Sequence, residues 1–323
     1  MIGDDFSKLD TNSITLKLIP PHFMRRYGVR QVFNTAGAET VLKYEMEINY
    51  KKTIAEGLRV FELNRFDQLY INNELPDSIA DELAFRTGQV FYPLQVLVDF
   101  AGTYVSVFNL EEIRERWSLL KKELLEYFVG EEVEAYFDYQ ENVLKDQGKI
   151  NDVFGKDLLI RVYFAGLYQN YLAEKELNSL LHFPLAGHAA PVVFSVKQTL
   201  KPYYNASGQL EIFHEGGADD ERSIADIIRY DDYATSRDDD DSLEKIKADY
   251  KARYALNAIT KSIEGMEASW IMFLDKEEQT SISMYEISGS DALTEKDIAN
   301  KAEKEKKDQP DGAGVKFMKI LFG

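Results

Sequence analysis

Within Val41–Lys51, apolar and polar residues alternate without interruption from Leu42 onward. Leu42, Tyr44, Met46, Ile48 and Tyr50 fall on one side, and Lys43, Glu45, Glu47, Asn49 and Lys51 on the other. Alternation of this length predicts a half-buried antiparallel strand. Leu58–Asn72 continues in the same style, with Asn72-Asn73 as a turn. Ser78–Phe91 has weak helical spacing. Pro93–Asn109 reads as a hairpin, with LQVLVDF and YVSVF on either side of Ala101-Gly102-Thr103.

The period then changes. Ile113, Trp117, Leu120, Leu124 and Phe128 form one apolar stripe of a helix. Asn109 is its expected N-cap with Glu112 three residues on, and Gly130 its expected C-terminal stop. A second helix is expected over Glu131–Lys145, ended by Gly148, and a third over Asn151–Leu172. Residues 110–172 thus read as a helical block without strands.

Beyond residue 176 the period returns to two. Leu177–Leu185 and Val192–Leu200 read as paired strands, and Gln209–His214 as another. Three strands near 250–258, 268–274 and 282–285 form a meander, with connections at Glu264-Gly265 and Lys276–Gln279. Strands, then helices, then strands point to an α+β fold: antiparallel sheets, as hairpins and a C-terminal meander, with a central block of two to three helices. Two arrangements fit. The favoured one is two modules meeting near residue 175; the other is one large sheet wrapping the helices. The expected organisation is a partly irregular segment at 1–40, an α+β module at 41–175 and a mainly β module at 176–288. A linker at 289–314 and a strand at 315–323 follow.

Composition changes the picture in three places. The 323 residues include 56 Asp and Glu against 38 Lys and Arg, a net charge of −18. That charge repels polyanions, so nucleic acid is not an expected partner. Residues 219–249 hold twelve acids against five bases and read as a solvated loop rather than a core element. Cysteine is absent, which excludes disulfides, thiolate metal sites and cysteine nucleophiles. No run of 18 apolar residues occurs, so no membrane-spanning helix is expected. The start, with Asp4, Asp5 and Asp10, lacks the basic and apolar regions of a secretory signal, so a cytoplasmic protein, or one exported without a classical signal, is expected.

Chemical motifs are scarce. There is no G-x-S-x-G elbow and no phosphate-binding glycine loop. Gly312-Ala313-Gly314 lacks the strand and helix that would give it meaning. His182, His188 and His214-Glu215 could meet as metal ligands only if paired strands brought them together; flanking a turn is the simpler role for the first two. The Asp238–Asp241 run fails the EF-hand pattern. No catalytic, metal or cofactor residues are therefore assigned. Arg25, Arg26 and Arg30 are expected to pair with the chain's own acids.

What remains is surface chemistry. Tyr230, Asp231, Asp232, Tyr233, Asp238, Asp239, Asp240 and Asp241 combine aromatic area with acidic charge, a pattern suited to a basic protein partner. The apolar segment VKFMKILFG is expected to dock as a strand through Val315, Phe317, Ile320 and Phe322, on its own sheet or a partner's. The leading expectation is a non-enzymatic, acidic protein-binding protein: an immunity protein, chaperone or adaptor for a basic toxin or effector. The alternatives are a small-molecule or lipid-binding module, its cavity lined by inward Tyr and Met, and a structural subunit that oligomerises through the 315–323 strand.

Overall fold

The Val41–Lys51 alternation lies within a strand that extends three residues further at each end, from Ala38 to Ile54. The computed structural model describes residues 13–20, 24–35, 37–54, 57–172, 176–235 and 244–287. In chain order the first strands are β1 (Ser13–Thr15), β2 (Met24–Thr35), β3 (Ala38–Ile54) and β4 (Leu58–Ile71). Helix α1 (Ile79–Gln89) precedes β5 (Leu94–Val98) and β6 (Tyr104–Val107). Helices α2 (Leu110–Leu124), α3 (Glu131–Leu144), α4 (Gln147–Gly155) and α5 (Leu158–Tyr163) follow. Then come β7 (Asn170–Leu172), β8 (Leu177–Phe183), β9 (Val192–Leu200), β10 (Leu210–Ala218) and α6 (Ile224–Ile228). The last strands are β11 (Ala248–Leu256), β12 (Ile263–Phe273) and β13 (Glu277–Glu286).

The fold is α+β. Eleven strands form one antiparallel sheet in the order β6-β5-β4-β3-β2-β13-β12-β11-β10-β9-β8, and β1 pairs with β7 apart from it. Strands from before and after the helices meet in the β2–β13 ladder, where Tyr285 lies opposite Gly28. The sheet is therefore the single wrapped one, and no break in it corresponds to the favoured meeting point near residue 175.

One face of this sheet is apolar, and α5 fills its concavity. Five of the six residues of α5 are buried. Phe164, which follows α5, packs on Phe61 of β4 with ring centroids 5.6 Å apart. Tyr163 meets Tyr27 of β2 edge-on, and their hydroxyls are 3.1 Å apart. Tyr254 of β11 donates to the Val162 carbonyl at 2.9 Å, and α5 also touches β8. In a flat sheet β4 and β8 would stand about 38 Å apart, whereas a six-residue helix is about 9 Å long. One short helix reaches both because the sheet curls around it. Beside α5, Trp270 stacks on Tyr250 at 5.3 Å and meets Phe183 edge-on at 5.0 Å. Burying each such ring contributes roughly 1.5–3 kcal/mol.

Several local expectations match. Asn72 and Asn73 take left-handed angles (φ 53° and 69°), closing a two-residue turn that suits strand twist. Ser78 caps α1 through the Asp81 N–H. Of the three arginines expected to pair with the chain's acids, Arg25 pairs with Glu264 and Glu286 and Arg26 with Glu45, while Arg30 has no ion pair among the described residues.

Others need correction. Within the 1–40 segment, expected as partly irregular, Met24–Thr35 is a regular strand that the alternation did not reveal: β2, which sits at the middle of the sheet with Tyr27 and Val29 facing the core. The expected third helix is two shorter ones, because Asp157 caps a new start by accepting from the Ile160 N–H, and the span ends in strand β7. Gly148 does not end a helix: it lies in the first turn of α4, and its N–H is capped by Asp146. Gly130 begins α3 rather than ending α2. Asn109 does start α2, but its side chain accepts from Gln95 N–H and donates to the Pro93 carbonyl and to Glu112. Glu264 and Gly265 lie within β12, and the turn before it spans 257–262, held by the Asn257 side chain. Glu277–Gln279 belong to β13, so that connection is also earlier than expected. The acidic segment is not all solvated loop either: Ile227 and Ile246 are core residues.

Candidate functional site

The Tyr230–Tyr233 loop is built from a short helix and a buried ion pair. Ser223 and Asp226 form a reciprocal capping box that starts α6. At the other end, Asp231 N–H bonds the Asp226 carbonyl and Tyr230 N–H bonds the Ile227 carbonyl. That is a Schellman ending, and its left-handed position is normally glycine. Here it is Tyr230, at φ 60°. A bulky residue in this conformation costs about 1–2 kcal/mol.

The Tyr230 ring has a prepared seat. It lies over Gly187, where a Cβ would come within 2.7 Å of the ring. It also lies beside the His188 imidazole, with centroids 4.6 Å apart and planes inclined by 35°. Gly187 itself has φ +58°, so the seat depends on glycine twice.

Arg222 fixes the loop from below. Its side chain is 3% exposed and forks onto Asp220, with Nε–Oδ1 at 2.9 Å and Nη2–Oδ2 at 2.8 Å. The other guanidinium protons go to the carbonyls of Ala190, Asp231 and Pro191. All five donors are used, which is the condition under which a buried guanidinium is tolerated. Burial raises the Asp220 pKa, but the bonds from Arg222 and the Arg222 and Val193 N–H groups outweigh it and hold the carboxyl below its usual range. Asp226 is affected in the same way: burial opposes ionisation, yet Thr235, Ser223 and Arg229 bring it down to about 2.

The structure therefore divides the expected contact residues. Tyr233 is 82% exposed and Tyr230 48%. Asp231 pairs with Arg229 at 2.9 Å, and Asp232 accepts from the Ala190 N–H at 2.7 Å. The two aspartates hold the loop while the two tyrosines face outward. Asp238, Asp239, Asp240 and Asp241 lie outside the described residues, as do Val315, Phe317, Ile320 and Phe322. Arg222 and Gly187 are the parts of this site that sequence reasoning missed, and His188, read there as flanking a turn, does so under the Tyr230 ring. Their local signal is the Asp220-x-Arg222 spacing and the Ser223–Asp226 capping box.

The histidines do not converge. His214 faces the core of β10, with Nδ1 3.3 Å from the Tyr250 hydroxyl, while Nε2 has no partner among the described residues. Burial pushes its pKa down to about 3, so it is neutral. Glu215 points to the opposite face, and His188 lies under Tyr230. Among the described residues no three His, Asp or Glu side chains form a group that could hold a metal. Tyr44, Met46, Tyr250, Tyr254, Met266, Met272 and Met284, inward Tyr and Met residues of the ligand-cavity alternative, are buried in one continuous core. Beside α5, between Arg59, Tyr163 and Tyr168, a cavity of about 10 Å³ remains, roughly the room of one water. No described helix is long and apolar enough to cross a membrane. The chain matches no protein-family model, and no curated protein is significantly similar to it.

Proposed function

We propose that this chain is a non-enzymatic protein-binding protein that docks a basic partner on the Tyr230–Tyr233 loop. The supporting observation is the left-handed Tyr230 seated on Gly187 and His188. Strain of this kind persists only where surrounding structure over-determines it, and it clusters at working surfaces. Buried scaffolding holds two tyrosines outward beside a chain segment rich in aspartate. Tyrosines offer large contact area at low entropic cost. The net charge of −18 would speed encounter with a basic protein and make binding salt-dependent. An immunity protein, chaperone or adaptor for a basic toxin or effector is the role this chemistry suits. Residence in the cytoplasm belongs to the same proposal, since a chain without cysteine needs no oxidising compartment.

The test is capture from native lysate with the full chain and with Tyr233→Ala, at low and high salt. A stoichiometric basic partner, lost at high salt and depleted about tenfold or more with Tyr233→Ala, is the expected result. Equal capture by both proteins, or none by either, overturns the reading.

A further inference from the structure

The two edges of the eleven-stranded sheet are finished differently. At β6, Asn151 accepts from the Val107 N–H and Gln147 donates to the Val107 carbonyl, both at 2.9 Å, so α4 covers that edge. A bridge between Thr103 and Ala165 covers its other end. At β8, pairing among the described residues is with β9 alone. Its sequence, LNSLLHF, carries none of the devices that blunt an edge: no lysine, no proline, no acid. It is also under-covered. On β9 and β10 the inward residues Phe194, Val196, Ile212 and His214 are fully buried, whereas on β8 only Phe183 is, and Leu177, Ser179 and Leu181 are half-buried. On the outer face Leu180 is 59% exposed. The edge has the geometry of a sheet that lacks its last strand.

We propose that residues 315–323 of the same chain supply that strand, adding to β8 by backbone pairing. The segment VKFMKILFG has the apolar content to cover Leu177 and Leu181. The reach is right. Ile287 leaves the sheet beside Arg26, at the end of β13, and β13 stands five strands from β8. At about 4.8 Å per strand, the added strand lies about 30 Å away along the sheet, and closer through space because the sheet curls. Residues 288–314 supply 27 residues. A flexible chain of that length has a root-mean-square span of about 30 Å. The proposal makes no use of the Tyr230 loop, so either one can fail without the other.

The chain has no cysteine, which allows a clean test. One cysteine is placed at Asn178, on the exposed side of β8, and a second in turn at each position from Val315 to Phe322. After mild oxidation the full chain should form a disulfide within one monomer at the segment position opposite residue 178, and not at the two positions flanking it, whose side chains point to the other face. No disulfide at any position overturns the proposal. Disulfides found only between two copies overturn it in favour of strand exchange. A second measurement needs no substitution. Hydrogen exchange of Leu177–Phe183 should be about tenfold faster or more in a chain ending at Gly312 than in the full chain. Equal exchange in the two overturns the proposal as well.

Discussion

The guanidinium of Arg222 and the carboxylate of Asp220, two residues apart in sequence, form a bidentate ion pair shielded from solvent at 3% and 6% exposure. The pair sits where three loops meet. It joins residues 190–191, Asp220 and the Asp231 carbonyl, and Asp220 also receives the Val193 N–H.

Removing one member leaves the other charged and buried. Arg222→Met should cost about 3–5 kcal/mol, read as a lower midpoint in urea unfolding. Arg222→Met combined with Asp220→Leu should recover part of that loss, because no uncompensated charge remains. A double variant as unstable as the sum of the single ones would show that the two residues act separately.

Tyr230 and Gly187 form a second coupled pair. Gly187→Ala places a methyl group 2.7 Å from the Tyr230 ring and forces alanine to φ +58°. The backbone part of that cost is about 1 kcal/mol. Tyr230→Gly removes the ring and restores the residue that a Schellman ending prefers. In the Tyr230→Gly background, Gly187→Ala should cost only its backbone part. A double-mutant cycle should therefore give a coupling of about 1 kcal/mol or more, and additivity would argue against the ring's seat on Gly187.

How much of this was legible beforehand depends on how local each signal is. β3, the Asn72-Asn73 turn, α1 and the β5–β6 hairpin are each specified within about twenty residues, and their patterns can be read directly. β2 is not. Its outward face carries Arg26, Gly28 and Arg30, which interrupt any look of a core strand, and its partner β13 lies some 250 residues further on. The join that makes one sheet from two halves is therefore a long-range fact. The candidate site divides in the same way. Tyr230 and Tyr233 stand out by composition. The loop-holding roles of Asp231 and Asp232 depend on Arg229 and on the Ala190 N–H, a partner 42 residues away. Single-residue chemistry is visible in the sequence; which way a side chain turns is set by neighbours that only folding brings near.

His214 makes stability depend on pH. Burial lowers its folded pKa to about 3, against an ordinary value of 6.5. Between those values the unfolded chain binds a proton that the folded chain does not, so stability falls as pH falls. The contribution is complete above about pH 6.5 and is lost progressively down to about pH 3. From pH 7 to pH 5 the loss should be about 2 kcal/mol. His214→Leu should flatten this part of the curve. His182, whose pKa is also lowered by burial and by Arg161, is common to both proteins and cancels in the comparison. Asp220 and Asp226 act at lower pH, as their carboxylates protonate. Urea midpoints of the two proteins at pH 7 and pH 5 make the measurement, and parallel slopes would contradict the buried neutral imidazole.

Two glycines in strands should respond to alanine in opposite ways, although neither has a left-handed backbone. At Gly216 of β10 a Cβ would come within 2.4 Å of the Ser195 carbonyl oxygen and 2.9 Å of a Val196 methyl. Both belong to β9, which pairs directly with β10 there, so the methyl group can be admitted only by shifting the ladder. Gly28 of β2 faces the open side of the sheet, and a Cβ there meets nothing within 4 Å. Gly28→Ala should therefore stabilise by about 0.4–1 kcal/mol, mainly by restricting the unfolded chain. Gly216→Ala should destabilise by more than that amount, because close backbone approach is the reason for a glycine in this position. Thermal or urea unfolding of the two single variants checks both signs together. A stabilising Gly216→Ala would mean that β9 and β10 are not in this register, and a destabilising Gly28→Ala would mean that the outer face of β2 is covered.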